Sequence, residues 1–375
     1  MNHLDLFSGI GGFSLGLKRV FDIKHTYYSE IDKYAIDVYK NNFKNITYVK
    51  SVTDVRGGQL PKIDIITFGS PCQDFSLAGK RKGMGGAKSS LITEAIRLIE
   101  ECKPSFFIWE NVKGTFSTNN GADFWAIIQA FANIGGYRLE WQLLNTKWFL
   151  PQNRERIYLV GYIAKGSRRQ IFPIEKNNKQ TNELQKQQGN TCTITTRYRA
   201  SESSGSYIIK RKLNTQEIDS NGYEVGTLRT HNDGKGFRKI KDGDFPTIPA
   251  RDREDGSGQP IVKINSATTK GYEIATKGDS INYSVPTSKT RRGRVGKGVA
   301  QTLDTGCHQA VIKSTKIRRL TPIECERLQG FPDDWTKEGT DGKISDSQRY
   351  KMCGNAVTVD VVQAVAKRIK QVIYG

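Results

Sequence analysis

The run Ile66-Thr67-Phe68-Gly69-Ser70-Pro71-Cys72-Gln73-Asp74-Phe75-Ser76 sets one cysteine just past an apolar segment and a proline. An ordinary thiol has a pKa of about 8.5, so only a few per cent is thiolate at neutral pH, yet it is a strong nucleophile once ionised. A loop leaving the C-terminal end of a strand exposes the sulfur and supplies backbone N–H groups beside it. A buried, inert cysteine is the alternative, but these flanks are polar. His3, His25, His231 and His308 all lie far from Cys72 in the chain, which argues against a Cys–His hydrolase.

Other groups could move the proton. Phe106-Phe107-Ile108-Trp109-Glu110-Asn111-Val112 carries a carboxylate at the end of an apolar strand, where burial favours a carboxyl that can carry a proton. Gln152-Asn153-Arg154-Glu155-Arg156 presents two guanidinium groups on alternate positions, suited to carbonyl or phosphate oxygens. Near the N-terminus, Leu4-Asp5-Leu6-Phe7-Ser8-Gly9-Ile10-Gly11-Gly12-Phe13 runs from a strand through a glycine-rich turn into a helix. Such turns approach nucleotides closely, and a dinucleotide is the generic reading, although the match to GxGxxG is imperfect. Glu30 ends a second strand and is placed to accept from ribose hydroxyls; Asp54, near the end of a third candidate strand, could accept from an adenine amino group.

The elements that must position these groups alternate. Strands are expected over His3–Phe7, Thr26–Ser29, Ile63–Phe68, Phe106–Glu110, Tyr137–Asn145 and Arg156–Tyr162. Helices are expected over Gly11–Val20, Lys33–Asn42, Leu91–Cys102 and Ala122–Ile134. This spacing implies an α/β fold with a doubly wound sheet, whose ligands bind outside the C-terminal ends of the strands. Near the other end, Thr321-Pro322-Ile323-Glu324 reads as a capped helix start, and Val357–Ile373 as an amphipathic closing helix.

The 375 residues include 58 Lys and Arg against 38 Asp and Glu, a net charge of +20. Such a surplus points to a polyanion, nucleic acid before an anionic membrane. Residues 164–316 alone hold 28 basic and 15 acidic residues, with no tryptophan and little helical periodicity. A degenerate unit recurs there, at Thr193–Thr196, Thr227–Thr230, Thr247–Ala250 and Thr302–Thr305. Three copies precede the aliphatic pairs Ile208-Ile209, Ile261-Val262 and Val311-Ile312. These read as short strand–turn units exposing basic loops. The six cysteines form no CxxC pair, which speaks against a zinc ribbon or disulfide framework, and Cys307-His308 reads as structural. No run approaches the ~18 apolar residues of a membrane helix, and the N-terminus lacks a signal-peptide layout.

Taken together, LDLFSGIGGF, Glu30, GSPCQDFS, ENV, QNRER, RRLTPIECERLQGFP and GNAV resemble the cytosine-5 DNA methyltransferases of bacteria and phages. The resemblance covers 1–163 and 317–375. It implies a mostly parallel, Rossmann-like catalytic domain over 1–165 and 335–375, with a smaller, β- and loop-rich target recognition domain and hinge segment over 166–334. It implies S-adenosyl-L-methionine as cofactor and S-adenosyl-L-homocysteine as product. Phe7, Gly9, Gly11, Glu30, Ile31, Asp54, Pro71, Leu91, Asn355 and Val357 would line the cofactor site. Ile31 departs from the family, where an aromatic residue often follows the ribose acid; an aliphatic cover for the adenine is expected instead.

The resemblance also assigns the chemistry. Cys72 would add to carbon 6 of cytosine and so raise electron density at carbon 5. Glu110 would hold ring nitrogen 3 and the exocyclic amine. Arg156 would contact the base carbonyl, and Arg154 would order the catalytic loop or a phosphate. The base must leave the duplex for this. Gln73, Ser76, Lys80, Arg81 and Lys82 would act at the DNA, on a glycine-rich loop that closes over it. Arg291, Arg292 and Arg294 form the densest basic run of the variable region and would touch phosphates or guanines. No metal is implied. The implied partner is double-stranded DNA, bound by a monomer in the cytoplasm of a bacterial or phage-infected cell, with a cognate restriction endonuclease in a restriction–modification pair. Rival readings are the same chemistry on tRNA, a catalytically silent DNA-binding subunit, and a nicotinamide oxidoreductase.

Overall fold

The computed structural model describes residues 1–70, 91–116, 121–164, 169–175, 223–228, 237–239, 260–285, 288, 290–313 and 316–373. They belong to two compact units. Met1–Leu150, Arg154–Asn177 and Glu326–Gly375 form the first; Pro151–Asn153 and Asn178–Cys325 form the second.

The first unit is built on β1 (Asn2–Leu6), β2 (His25–Ser29), β3 (Ile46–Tyr48), β4 (Ile65–Phe68), β5 (Phe106–Val112), β6 (Arg138–Asn145) and β8 (Glu155–Tyr162). The two-residue β7 (Gln152–Asn153) lies between the last two in sequence and pairs within the second unit. The spatial order is β3-β2-β1-β4-β5-β8-β6. All run parallel except β8, which is antiparallel to both neighbours. The order reverses between β1 and β4, the topological switch point at which open α/β sheets bind ligands.

Helices cover both faces, so the central strands are apolar on both sides. On one face, α3 (Leu91–Cys102) and α4 (Ala122–Asn133) pack Ile92, Leu98, Ile99, Phe124, Ile127 and Phe131 against Leu4, Leu6, Phe68, Phe107 and Trp109. On the other, α1 (Gly12–Lys18) and the closing helix α7 (Val359–Ile373) pack Phe13, Leu17, Val361, Val365 and Ile369 against Ile65, Phe106, Ile108 and Val160. α2 (Lys33–Asn42) starts where the Asp32 side chain accepts from the N–H groups of Tyr34 and Ala35. α5 (Pro322–Leu328) has the reciprocal box its sequence announces: Thr321 N donates to Glu324 and Glu324 N to the Thr321 hydroxyl.

Two elements differ from expectation. The closing helix begins at Val359 rather than Val357, because Thr358 sits at its N-cap and accepts from Val362 N. A further helix, α6 (Asp346–Asn355), is too polar to show an apolar stripe in the sequence.

The second unit is antiparallel in both of its four-stranded sheets. β9 (Tyr223–Leu228), β10 (Phe237–Lys239), β11 (Pro260–Asn265) and β12 (Tyr272–Ala275) are ordered β10-β9-β11-β12. β13 (Ser280–Asn282), β14 (Val295–Gly296), β16 (Gln309–Lys313) and β17 (Lys316–Arg319) are ordered β14-β13-β16-β17. β15 (Ala300–Gln301) pairs in parallel with β7. Two of the recurring aliphatic pairs, Ile261-Val262 and Val311-Ile312, are buried on strands of separate sheets. Thr193–Thr196, Ile208-Ile209 and Thr247–Ala250 lie outside the described residues. No helix among the described residues is long and apolar enough to cross a membrane.

A buried ion pair ties α6 to the C-terminal part of α5. Glu326 is fully buried and its Oε1 accepts from Arg349 Nη2 at 3.0 Å and from Thr336 N at 2.9 Å. Arg349→Ala leaves that carboxylate buried without its counter-ion and is expected to cost about 3–5 kcal/mol. Urea unfolding measures this; a loss below about 1 kcal/mol would show that the pair is not a structural clamp.

Candidate active site

Strand register fixes one edge of the sheet. Ser29, Leu6, Phe68, Trp109 and Leu159 are successive partners across five strands. The residues just beyond that row, on strands whose C-termini point the same way, are Glu30, Phe7, Gly69 and Glu110. Groups distant in sequence are thereby set on one rim.

The turn after β1 is strained and tightly held. Phe7 has φ 52°, a left-handed conformation that costs a bulky residue about 1–3 kcal/mol and persists only where surrounding contacts impose it. Ser8 N donates to Ser29 O at 3.0 Å, and Gly11 N to Ser8 O at 2.9 Å. Gly11 has φ 87°, and a Cβ there would lie 2.2 Å from the Phe43 ring, so no other residue fits. Gly9 differs: a Cβ there would meet nothing within 4 Å, so the backbone faces open space. Glu30 ties the turn to β2. Its Oε2 accepts from Gly9 N at 2.8 Å, and its Oε1 from Ile31 N at 2.7 Å and Asp32 N at 2.9 Å. Two carboxylate oxygens offer about four acceptor sites, so the three donors orient the group and leave acceptor capacity for a ligand hydroxyl. Ile31 beside it is 79 % exposed, the most exposed large apolar side chain of the described residues. Asp54 is exposed in the turn that follows β3, where its N–H donates to Ser51 O. Leu91 opens α3 and packs partly buried against the core.

The far end of the chain closes on this turn. Val357 is buried, and its Cγ1 lies 2.6 Å from where a Cβ on Gly12 would stand, so Gly12 permits the approach. Asn355, at the end of α6, is exposed. Arg154 holds the segment between them: its guanidinium donates to Gly354 O at 3.3 Å and Ala356 O at 2.8 Å. Thr358 adds a second tie, bonding the hydroxyl of Thr146 and the side chain of Gln329, which in turn donates to Cys353 O.

Glu110 and Arg156 meet on the same rim. Arg156 Nε lies 3.2 Å from Glu110 Oε1, with both side chains mostly buried. Gly69 makes room, since a Cβ there would stand 3.2 Å from Glu110 Oε2. The adjacent residues of β5 fix the root of the cysteine segment. Trp109 Nε1 donates to Ser70 Oγ at 3.1 Å, and Asn111 Nδ2 to Ser70 O at 3.3 Å. Pro71, Cys72, Gln73, Ser76, Lys80, Arg81 and Lys82 lie outside the described residues.

Two arginines depart from their expected surroundings. Arg154, expected at the catalytic loop or a phosphate, is 3 % exposed and spends its guanidinium on backbone carbonyls of the first unit. Arg294, expected at the nucleic acid, is 2 % exposed, and its guanidinium donates to the carbonyls of Asn282, Ser284 and Val285. In both cases alternation of charge along the chain hid which arginine turned inward. Arg291 and Arg292 are exposed, with Arg291 donating to the Ser284 hydroxyl. The sequence reading gave no role to Ser70, Asn111, Thr146 or Gln329; of these only Thr146 stood outside the quoted motifs.

The rim therefore joins a glycine-rich turn, the Glu30 carboxylate and the Glu110–Arg156 pair beside the root of the cysteine segment. Comparisons with known proteins identify the family. Against curated proteins, the chain is 27 % identical to the orphan methyltransferase M.SPRI of Bacillus phage SPR, covering 98 % of this chain and 96 % of that one. It is 29 % identical to the type II methyltransferase M.NlaX of Neisseria lactamica, covering 98 % and 95 %. Among solved structures, S. pombe Dnmt2 methyltransferase aligns with a TM-score of 0.53 at 16 % identity, over 99 % of this chain and 98 % of that one, which supports the fold. The family model for C-5 cytosine-specific DNA methylases matches residues 1–371, and the chain belongs to that family.

Proposed function

We propose that this DNA cytosine-5 methyltransferase transfers the methyl group of S-adenosyl-L-methionine to carbon 5 of a cytosine flipped out of a short, specific double-stranded DNA sequence. The observation that carries the reading is the Glu110–Arg156 pair, set on the rim that also carries the Phe7–Gly11 turn, with Ser70 anchored beside it at the root of the Cys72 segment. The open space over Gly9 and the oriented Glu30 carboxylate fit a nucleoside with ribose hydroxyls. Phe7, Glu30, Ile31, Asp54, Leu91, Asn355 and Val357 would hold it. When bound, the sulfonium cofactor supplies an electrophilic methyl group.

The chain's own residues prepare the base. Cys72, as thiolate, adds to carbon 6 and makes carbon 5 nucleophilic, splitting one hard step into two. Glu110 holds ring nitrogen 3 and the exocyclic amine, so that charge arriving on the ring is met by a proton. Arg156 is paired with Glu110 and mostly buried. It keeps that carboxylate oriented and offers its remaining N–H donors to the base carbonyl. Loss of the carbon 5 proton and of the thiol then restores the enzyme. Arg154 serves this site from behind, by holding the Gly354–Ala356 carbonyls. The second unit, with exposed Arg291 and Arg292, is proposed to read the DNA, and the Lys80–Lys82 segment to close over the flipped base. The setting is the cytoplasm of a bacterial or phage-infected cell, where the enzyme acts as a monomer, with a cognate restriction endonuclease or as an orphan.

Bisulfite sequencing of plasmid DNA exposed to the protein is expected to show 5-methylcytosine in one short context; unmodified cytosine throughout would refute the reading. Cys72→Ser is expected to abolish transfer while DNA binding, measured by gel shift, persists. Glu110→Gln is expected to slow single-turnover methyl transfer by about 10²–10⁴-fold with cofactor affinity little changed. A Gln variant at wild-type rate would remove Glu110 from the mechanism.

A further inference from the structure

The glycine-rich turn is held from the far end of the chain by a bond that the chemistry above does not use. Trp335 Nε1 donates to Ile10 O at 2.9 Å, across 325 residues of chain. The bond is buried, and no other hydrogen bond to that carbonyl occurs among the described residues. The indole is itself fixed. Phe43 meets it edge-on with ring centroids 5.4 Å apart, and Phe331 lies tilted at 5.5 Å. The Trp335 carbonyl accepts from Asn42 Nδ2 at 2.9 Å. The next residue, Thr336, donates its N–H at 2.9 Å to Glu326, the buried partner of Arg349.

The turn needs such a tie because of its glycines. Gly11 N donates to Ser8 O at 2.9 Å, closing a four-residue turn whose last peptide is Ile10–Gly11. Rotating that peptide by half a turn changes mainly ψ of Ile10 and φ of Gly11. Glycine takes φ of either sign at similar cost, so the Gly11 φ of 87° does not by itself fix the peptide plane. Rotation would carry Gly11 N away from Ser8 O and bring the Ile10 carbonyl toward it. Two carbonyl oxygens repel, so the turn would open. Gly9, whose N–H reaches Glu30 Oε2 at 2.8 Å, lies inside that turn. Trp335 opposes the rotation directly, because it holds the carbonyl end of the same peptide.

We propose that Trp335 is a positioning residue for the cofactor: its indole N–H locks the Ile10–Gly11 peptide, so that the turn already has its binding conformation before the ligand arrives. The proposal rests on the reading of the Phe7–Gly11 turn as the S-adenosylmethionine site. Without the donor, the closed turn keeps a buried carbonyl with no partner, and the rotated peptide no longer has that bond to lose. Ligand then binds only the fraction of molecules whose turn is closed, and apparent affinity falls by that fraction. Once bound, the ligand holds the turn itself, so the rate at saturating cofactor is unaffected. The effect therefore belongs to KM for the cofactor and not to kcat.

The test is Trp335→Phe in the full chain, which keeps an aromatic ring against Phe43 and Phe331 and removes the donor. Titration calorimetry with S-adenosyl-L-homocysteine is expected to show affinity about ten-fold weaker than wild type. With plasmid DNA as substrate, KM for S-adenosyl-L-methionine should rise by a similar factor while kcat stays within about two-fold. Amide hydrogen exchange over Phe7–Phe13 should quicken without ligand and recover with it. A purely structural role would lower the unfolding midpoint but leave the affinity of the folded protein unmoved. Should the variant fail to fold, benzothienylalanine at position 335 keeps the two-ring shape with sulfur in place of the N–H, and the same changes are expected. Unchanged affinity in either folded variant, a fall in kcat at unchanged KM, or failure of both to fold overturns the proposal and leaves the cofactor reading standing. No binding of S-adenosyl-L-homocysteine by the wild type overturns the cofactor reading itself.

Discussion

Everything in the first unit depends on the register that levels five strand ends. Ser29, Leu6, Phe68, Trp109 and Leu159 stand in one row because strand pairing, parallel up to β5 and antiparallel from β5 to β8, cannot slip by one residue without turning every side chain over once buried apolar faces have set it. The row converts four sequence-distant loops into one rim. It puts Glu30 beside Gly9, and Glu110 beside Gly69 and Arg156. Antiparallel β8 matters here, since it brings the start of its own strand, rather than its end, to that edge. That is why Arg156, the second residue of β8, stands beside Glu110 on an edge otherwise made by strand C-termini.

A second device recurs in both units. Arg154 and Arg294 are buried guanidinium groups that donate to backbone carbonyls. The planar fork suits this task, because its donors can reach several carbonyls at once. Each fixes an irregular stretch of backbone, the Gly354–Ala356 turn in one unit and the Asn282–Val285 segment in the other.

Much of this was legible in the sequence. Six strands and the main helices were placed within about two residues, because their apolar runs and amphipathic stripes are long. The capping box at Thr321 and Glu324 was readable because it is made by local spacing. The motifs located Glu110, Arg156, Glu30 and the glycine-rich turn. What could not be read was the side to which a polar residue points. His3 and Asp5 alternate with leucines as a half-exposed strand would, yet both faces of β1 are covered, so an apparent solvent face became a buried network. Arg294 failed for the same reason within a basic run. The contact between Ser70 and Asn111 gave no signal, because it spans 41 residues of chain.

The central claim is that a cysteine sulfur rooted on this rim bonds transiently to the base. Duplex DNA carrying 5-fluorocytosine at the modified position tests it directly, because fluorine at carbon 5 cannot be lost in place of the proton. Incubation with S-adenosyl-L-methionine is predicted to leave a denaturation-resistant adduct whose peptide map places the linkage at Cys72. Methylation of ordinary substrate with no adduct on the fluorinated one, or a linkage at any other residue, would contradict it.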